Sequence, residues 1–235
     1  MKKLLLLAFV FSVGLLFSQG GKVIDQLSLK SEILGGERKY AIYLPSDYDY
    51  SNREYPVLYL LHGAGDDHTG WIQFGEVKSI ADKTNKEGLS TSMIIVMPDA
   101  QTGQKGYFND INQKWNYEDF FFKEFIPFIE KKYRIKSEKR YRAIAGLSMG
   151  GGGSFIYALR HPEMFSSACP LSGYMGELSY DEFYKKNKEK HKNYRREKLF
   201  NYYSNHNALS IIQNQTVENL KSVRWYIDCG DNDFL

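Results

Sequence analysis

Apolar and polar positions along the 235 residues follow two periods, and the way these alternate predicts the fold. Residues 23–34 and 38–44 alternate as half-buried strands do, and Gly35-Gly36 between them predicts the turn that pairs them. Residues 55–61 (YPVLYLL) are apolar almost without a break, the pattern of a strand covered on both faces. Residues 93–97, 142–145, 167–171 and 223–229 read the same way. Between them, residues 77–86, 117–132 and 149–160 carry helical spacing; in the second, Phe121, Phe125, Phe128 and Ile129 share one face. Strands alternating with helices predict an α/β architecture, a mostly parallel sheet with helices on both faces. With no internal repeat and no low-complexity linker, residues 21–235 read as one domain.

Two segments stand outside this pattern. Lys2 and Lys3, an apolar run over residues 4–17 and the small, polar exit from Ser18 to Gly21 predict a signal peptide over residues 1–20. The run is short for the ~20 residues of a membrane span. The expectation is an exported protein, periplasmic or secreted, with no membrane attachment once the signal is removed. Residues 180–198 are dense in Lys, Arg, Glu and Tyr. They read first as a solvated helical excursion across the top of the sheet, with a lid or a basic rim for acidic polysaccharide as the alternative.

Composition narrows the partners. Hydrophobic residues make up 43% and charged residues 25%, which excludes wholesale disorder, and a net charge of +3 asks for no nucleic-acid partner. The 18 Tyr and 15 Phe predict a large core, with a sugar- or aryl-lined groove as a second use. Cys169 and Cys229 both fall in predicted buried strands, where they act as small hydrophobes rather than a disulfide. No metal-ligand spacing occurs, so neither a metal nor another cofactor is expected.

The chemistry is carried by three short segments. Gly146-Leu147-Ser148-Met149-Gly150 is a G-x-S-x-G motif directly between a predicted strand and a predicted helix. That context is a nucleophile elbow, which lifts the Ser148 hydroxyl above the sheet at a helix N-terminus. Leu61-His62-Gly63-Ala64-Gly65 follows the strand 55–61 and predicts an oxyanion loop. The expected donors are the backbone N–H groups of Met149 and Ala64. His62 beside that loop is expected to buttress it rather than to act as the general base. Residues 229–235 (CGDNDFL) end a strand in an acidic loop, so Asp231 or Asp233 is expected to orient an imidazole.

With these segments in view, the chain resembles the esterase D-like serine esterases of the α/β-hydrolase superfamily, and most of all carbohydrate esterase family one, which holds feruloyl and acetylxylan esterases. The matching segments are YLPSDYD (43–49), YPVLYLLHGAG (55–65), MIIVMPDA (93–100), AIAGLSMGGG (143–152), RHPEMFSSACPLSG (160–173) and YIDCGDNDFL (226–235). The resemblance implies an α/β-hydrolase fold and hydrolysis of carboxylic esters through an acyl-enzyme. It places the acid on Asp233 and the second oxyanion donor on Ala64. It also places Tyr107 and Trp115 along the substrate cleft. The implied substrate is an acylated polysaccharide or oligosaccharide carrying feruloyl or acetyl groups. A small ester, as for S-formylglutathione hydrolases, and a non-catalytic carbohydrate-binding relative are the alternatives.

One departure qualifies the resemblance. In that family the catalytic histidine follows the acid, after one more strand, whereas His62, His68, His161, His191 and His206 all precede Asp233. The expectation is therefore a chain truncated at its C-terminus, without the last strand, helix and histidine.

Overall fold

The computed structural model describes residues 20–101 and 106–233. The signal peptide expected at the N-terminus lies outside the described residues up to residue 19, as do Phe234 and Leu235. In chain order the elements begin with strands β1 (Lys22–Ser31), β2 (Gly36–Leu44) and β3 (Val57–Leu61). Helices α1 (Gly70–Gln73) and α2 (Val77–Lys86) lead to β4 (Ile94–Pro98). Next come α3 (Tyr117–Phe120), a π-turn over Phe121–Phe125, and α4 (Ile126–Lys132). Strand β5 (Arg142–Leu147) runs into α5 (Met149–Arg160), and β6 (Ser167–Leu171) follows. Four helices then precede the last strand: α6 (Tyr180–Asn187), α7 (Arg196–His206), α8 (Ala208–Asn214) and α9 (Val217–Lys221), with β7 at Arg224–Trp225.

Among the described residues the strands form one mixed sheet in the order β1-β2-β4-β3-β5-β6-β7. Strand β2 is antiparallel to both β1 and β4, and β4, β3, β5, β6 and β7 run parallel. The turn at Gly35-Gly36 has φ of 67° and 88°, the left-handed region that glycine enters without steric cost. Alternation along the strands sorts side chains onto two apolar layers. Tyr40, Ile42, Tyr59, Val96 and Ile144 meet the α3–α5 side through Phe121, Phe125 and Tyr157. Ala41, Tyr43, Leu60, Ile95 and Met97 meet Val77 of α2 on the other. A strand with both faces covered has no polar face to show, which is why residues 57–61 are unbroken apolar sequence.

Three expectations are corrected. The helix expected over residues 117–132 is interrupted by the π-turn. Pro127 has no N–H for a carbonyl one turn back and its ring collides there, and the wider turn just before it relieves that conflict. The strand expected over residues 223–229 pairs only at Arg224–Trp225, with one further bridge from Leu171 to Asp228. Among the described residues it pairs with β6 alone, and Tyr226 and Ile227 stand exposed. Cys229 is therefore an exposed thiol rather than a buried strand residue, and both cysteines are free.

The segment 180–198 is helical in its first half, and its aromatics are packed. The Tyr180 ring lies 5.1 Å from Phe200 and 5.7 Å from Tyr203, and Phe183 lies 5.4 Å from Tyr203. These rings join α6 to α7 while the lysines face outward. Among the described residues, no helix is long and apolar enough to cross a membrane.

Candidate active site

Ser148 sits at the junction of β5 and α5 with φ 55° and ψ −113°. A non-glycine residue there is strained, at a cost on the order of 1–3 kcal/mol. The strain persists because the surroundings over-determine it. The Ser148 N–H donates to the Leu171 carbonyl at 2.9 Å, and the Ser148 carbonyl accepts from Gly152 N–H at 2.9 Å and Tyr174 N–H at 3.3 Å. Gly150, Gly151 and Gly152 after Met149 answer to close approach of backbone, and Gly153 to the Tyr107 ring. A Cβ on Gly150 would stand 2.7 Å from the His62 carbonyl oxygen, and one on Gly151 would stand 2.6 Å from that of Leu171. The first turn of α5 is thus pressed against the ends of β3 and β6.

The loop after β3 adjoins the nucleophile. A Cβ on Gly63 would lie 3.8 Å from the Cβ of Ser148. The next residue, Ala64, is exposed, and Met149 opens the first turn of α5, where backbone N–H groups have no intrahelical acceptor. An exposed loop residue and an open helix N-terminus thus adjoin Ser148.

His62 holds this loop in place. Its Nε2 accepts the Ala100 N–H at 3.1 Å, so the proton resides on Nδ1, which donates to the Gly63 carbonyl at 2.9 Å. Burial pushes its pKa down, so the ring is neutral in the folded protein. Tyr107 and Trp115, expected to line an open cleft, are buried instead, at 1% and 6% exposure. Loop aromatics here turn inward: the Tyr107 hydroxyl donates to the His62 carbonyl at 3.0 Å, and Trp115 Nε1 donates to the Gly106 carbonyl at 2.7 Å. Tyr107 is thereby a positioning residue for the loop. Trp71 of α1 does a similar task, donating from Nε1 to the Leu61 carbonyl at 3.0 Å. Its role had no signal in the sequence, because nothing local links residue 71 to residue 61.

Asp233 lies in the turn that follows the bridge of Asp228 to Leu171. Leu171, which receives the Ser148 amide, bridges to Asp228, and the Ser172 N–H donates to the Asp228 carbonyl at 2.8 Å. The chain then turns through Gly230, whose carbonyl accepts the Asp233 N–H at 3.2 Å. The Asp233 carboxylate lies 3.5 Å from the Cys229 thiol. Asp231 is exposed in the same turn.

The histidines are committed elsewhere. His68 Nε2 pairs with the Asp25 carbonyl at 3.0 Å, and His161 Nε2 with Glu118 at 3.1 Å. His206 Nδ1 donates to the Tyr202 carbonyl at 2.7 Å, and the His191 ring packs on Tyr194. Among the described residues, no group of three or more His, Cys, Asp or Glu is placed to hold a metal ion.

Comparison with known proteins adds a family to this geometry. The esterase family described as "Putative esterase" matches residues 31–234. An endo-1,4-beta-xylanase/feruloyl esterase of Xylanibacter ruminicola is 36% identical over 165 residues, which cover 66% of this chain and 21% of that protein. The aligned stretch therefore spans about a fifth of that relative's length. A solved ferulic acid esterase superposes with a TM-score of 0.76 at 34% identity, over 90% of this chain and 79% of the other. The CE1 ferulic acid esterase of Anaeromyces mucronatus, in complex with ferulic acid, has a TM-score of 0.56 at 26% identity, over 66% of this chain and 58% of its own.

Proposed function

The chain belongs to this esterase family, with an α/β-hydrolase fold, and on that premise we propose that it is a serine carboxylic-ester hydrolase removing feruloyl or acetyl groups from plant polysaccharide. The single observation that carries the reading is the strained Ser148 at the head of α5, beside the Gly63-Ala64 loop. In the first step Ser148 Oγ bonds to the ester carbonyl carbon and gives up its proton to a base. The carbonyl oxygen takes the negative charge, facing the N–H groups of Met149 and Ala64. Collapse breaks the bond to the alcohol, which leaves with the proton, and water then releases the acid from the acyl-serine.

Asp233 is the orienting acid in this reading, supported by its place in the turn after the bridge at Asp228. In this reading the base is none of the five histidines: the rings of His62, His68, His161 and His206 are hydrogen-bonded elsewhere, and the His191 ring packs on Tyr194. Export belongs to the same reading and rests on Lys2, Lys3 and the apolar run that follows. A feruloyl ester is favoured over a small thioester by the feruloyl-esterase relatives at 34–36% identity.

The test is turnover of p-nitrophenyl acetate and methyl ferulate with Ser148→Ala as the reference. The expected outcome is a protein-dependent rate that vanishes in the variant and survives a chelator. A rate unchanged by Ser148→Ala rejects the proposal.

A further inference from the structure

A polar groove of about 340 Å³ lies between the loop after β4 and one face of α7, and the ester chemistry makes no use of it. The loop contributes Asn109, Asp110 and Asn116, and α7 contributes Asn201 and Asn205, one turn apart. The loop wall is built firmly. Asn109 and Asn116 pair across an antiparallel bridge, and the Asp110 N–H donates to the Trp115 carbonyl at 2.6 Å. The Asn109 carbonyl oxygen of the side chain accepts the Asp119 N–H at 3.1 Å. The helix wall is held by the aromatic packing of α7 on α6. Little ordering therefore remains to be done when a ligand arrives.

What the groove offers is unspent hydrogen bonding. Among the described residues, the side chains of Asn201 and Asn205, the Asp110 carboxylate and the Tyr202 hydroxyl make no hydrogen bond to the protein. Burial and the nearby Asp110 carboxylate push the Tyr202 hydroxyl up to about 12, so it stays a neutral donor and acceptor. Amides present donors and acceptors together and carboxylates accept, which matches ligand hydroxyl groups that also do both. The charged groups of the lining are Asp110, Asp119 and Lys198, and Asp119 is already paired with Lys123 at 2.9 Å, so the groove carries no excess charge of either sign and suits a neutral ligand. The Tyr202 ring is held by stacking on His206 at 4.2 Å and on Phe183 at 6.4 Å, which fixes this part of the wall.

The groove also has a defined relation to the nucleophile. A Cβ on Gly106, three residues before Asn109, would lie 3.7 Å from the Met149 Sδ. The same loop therefore begins beside the elbow and ends as the groove wall.

We propose that this groove is a subsite for a neutral, hydroxyl-rich oligosaccharide, held by the amides of α7 and the Asn109–Asn116 hairpin. That the sugar is the alcohol portion of the ester rests on the function proposed above; that the groove binds a sugar does not. The experiment is calorimetric titration of the Ser148→Ala protein with xylohexaose, then of the same protein carrying Asn201→Ala and Asn205→Ala. Both asparagines are exposed on a helix and alanine favours helix, so circular dichroism should show the fold retained. Saturable binding is expected, weakened by about tenfold in the double variant as two hydrogen-bonding side chains are lost. No saturable binding, or binding untouched by the double variant, overturns the proposal. Intact sugar binding in a protein with no Ser148-dependent turnover would reject the esterase reading alone. Intact turnover of methyl ferulate without sugar binding would reject the groove alone.

Discussion

His62 Nε2 accepts the backbone N–H of Ala100 at 3.1 Å, and this one bond ties the loop after β3 to the loop after β4. An N–H donor facing Nε2 excludes a proton there, so the ring must stay neutral with its hydrogen on Nδ1. Burial acts in the same direction and lowers its pKa. The ordinary value is 6.5, so as pH falls through that value the unfolded chain takes up a proton that the folded one refuses. Stability contributed by His62 is full above that pH and is lost progressively below it. The His206 pKa is lowered by burial as well, and its Nδ1 is likewise fixed on the Tyr202 carbonyl. Thermal melts between pH 8 and pH 5 should show Tm falling on the acid side. His62→Gln keeps an acceptor for Ala100 without a titrating ring, so its acid-side slope should be shallower. An identical slope in the variant would assign the effect to other groups.

Tyr107 supports the loop from the other side, through the His62 carbonyl. Tyr107→Phe removes that donor inside a buried site, where an unmet carbonyl costs about 1–3 kcal/mol. Denaturant titration should show a loss in that range. The Ser148-dependent rate should fall as well, because the loop carrying Ala64 loses an anchor. A stability loss with the rate unchanged would make Tyr107 a core residue only.

Glycine at 151 is demanded by packing, and at 35 by backbone conformation. A Cβ at 151 would meet Leu171 and Gly173 backbone at 2.6 and 2.8 Å, where no flexible side chain can yield. Gly151→Ala should cost about 3 kcal/mol or more, as overpacking does in a dense core. Gly35 has φ +67° and open space around it, so Gly35→Ala should cost only the ~1 kcal/mol of a left-handed alanine. Chemical denaturation of the pair decides the matter, and equal losses would contradict the account.

These contrasts mark what was legible in the sequence. The elbow was, because strand, G-x-S-x-G and helix are contiguous and each constrains the next. The apolar strands were, because burial on both faces leaves no polar position. Tyr107 and Trp115 were misplaced because a loop aromatic points inward or outward according to partners such as His62 and Gly106, distant in the chain or matched only after folding. The π-turn follows from Pro127, which was visible, but a helix absorbs a proline by kinking, ending or widening, and the choice is made by the packing of Phe121 and Phe125. The pairing of α6 with α7 was hidden because its tyrosines sit among lysines, in a stretch whose average is polar.

An alcohol is a weak nucleophile until a base takes its proton, and in the Ser-His-Asp arrangement that base is an imidazole oriented by a carboxylate. Each imidazole of this chain has a competing commitment. His62 is locked neutral between Gly63 and Ala100, His68 is bonded to Asp25, and His161 is bonded to Glu118. His206 accepts from Arg160 at 3.3 Å through the nitrogen left free by Tyr202, and His191 lies against Tyr194 in the connection between α6 and α7. Freeing any of the first three would break contacts that shape the fold. Purified residues 21–235 should therefore turn over p-nitrophenyl acetate poorly, although the oxyanion donors alone still leave about 10³-fold over water. Free imidazole in the buffer should raise the Ser148-dependent rate, measured as the difference between the wild type and Ser148→Ala, because it offers Ser148 an uncommitted base. Replacing each of the five histidines by alanine should leave that difference within a few-fold, apart from the loop effect of His62. A fast, saturable rate that disappears with His68, His161, His191 or His206 would show that one of them leaves its partner to serve Ser148, and would overturn the assignment.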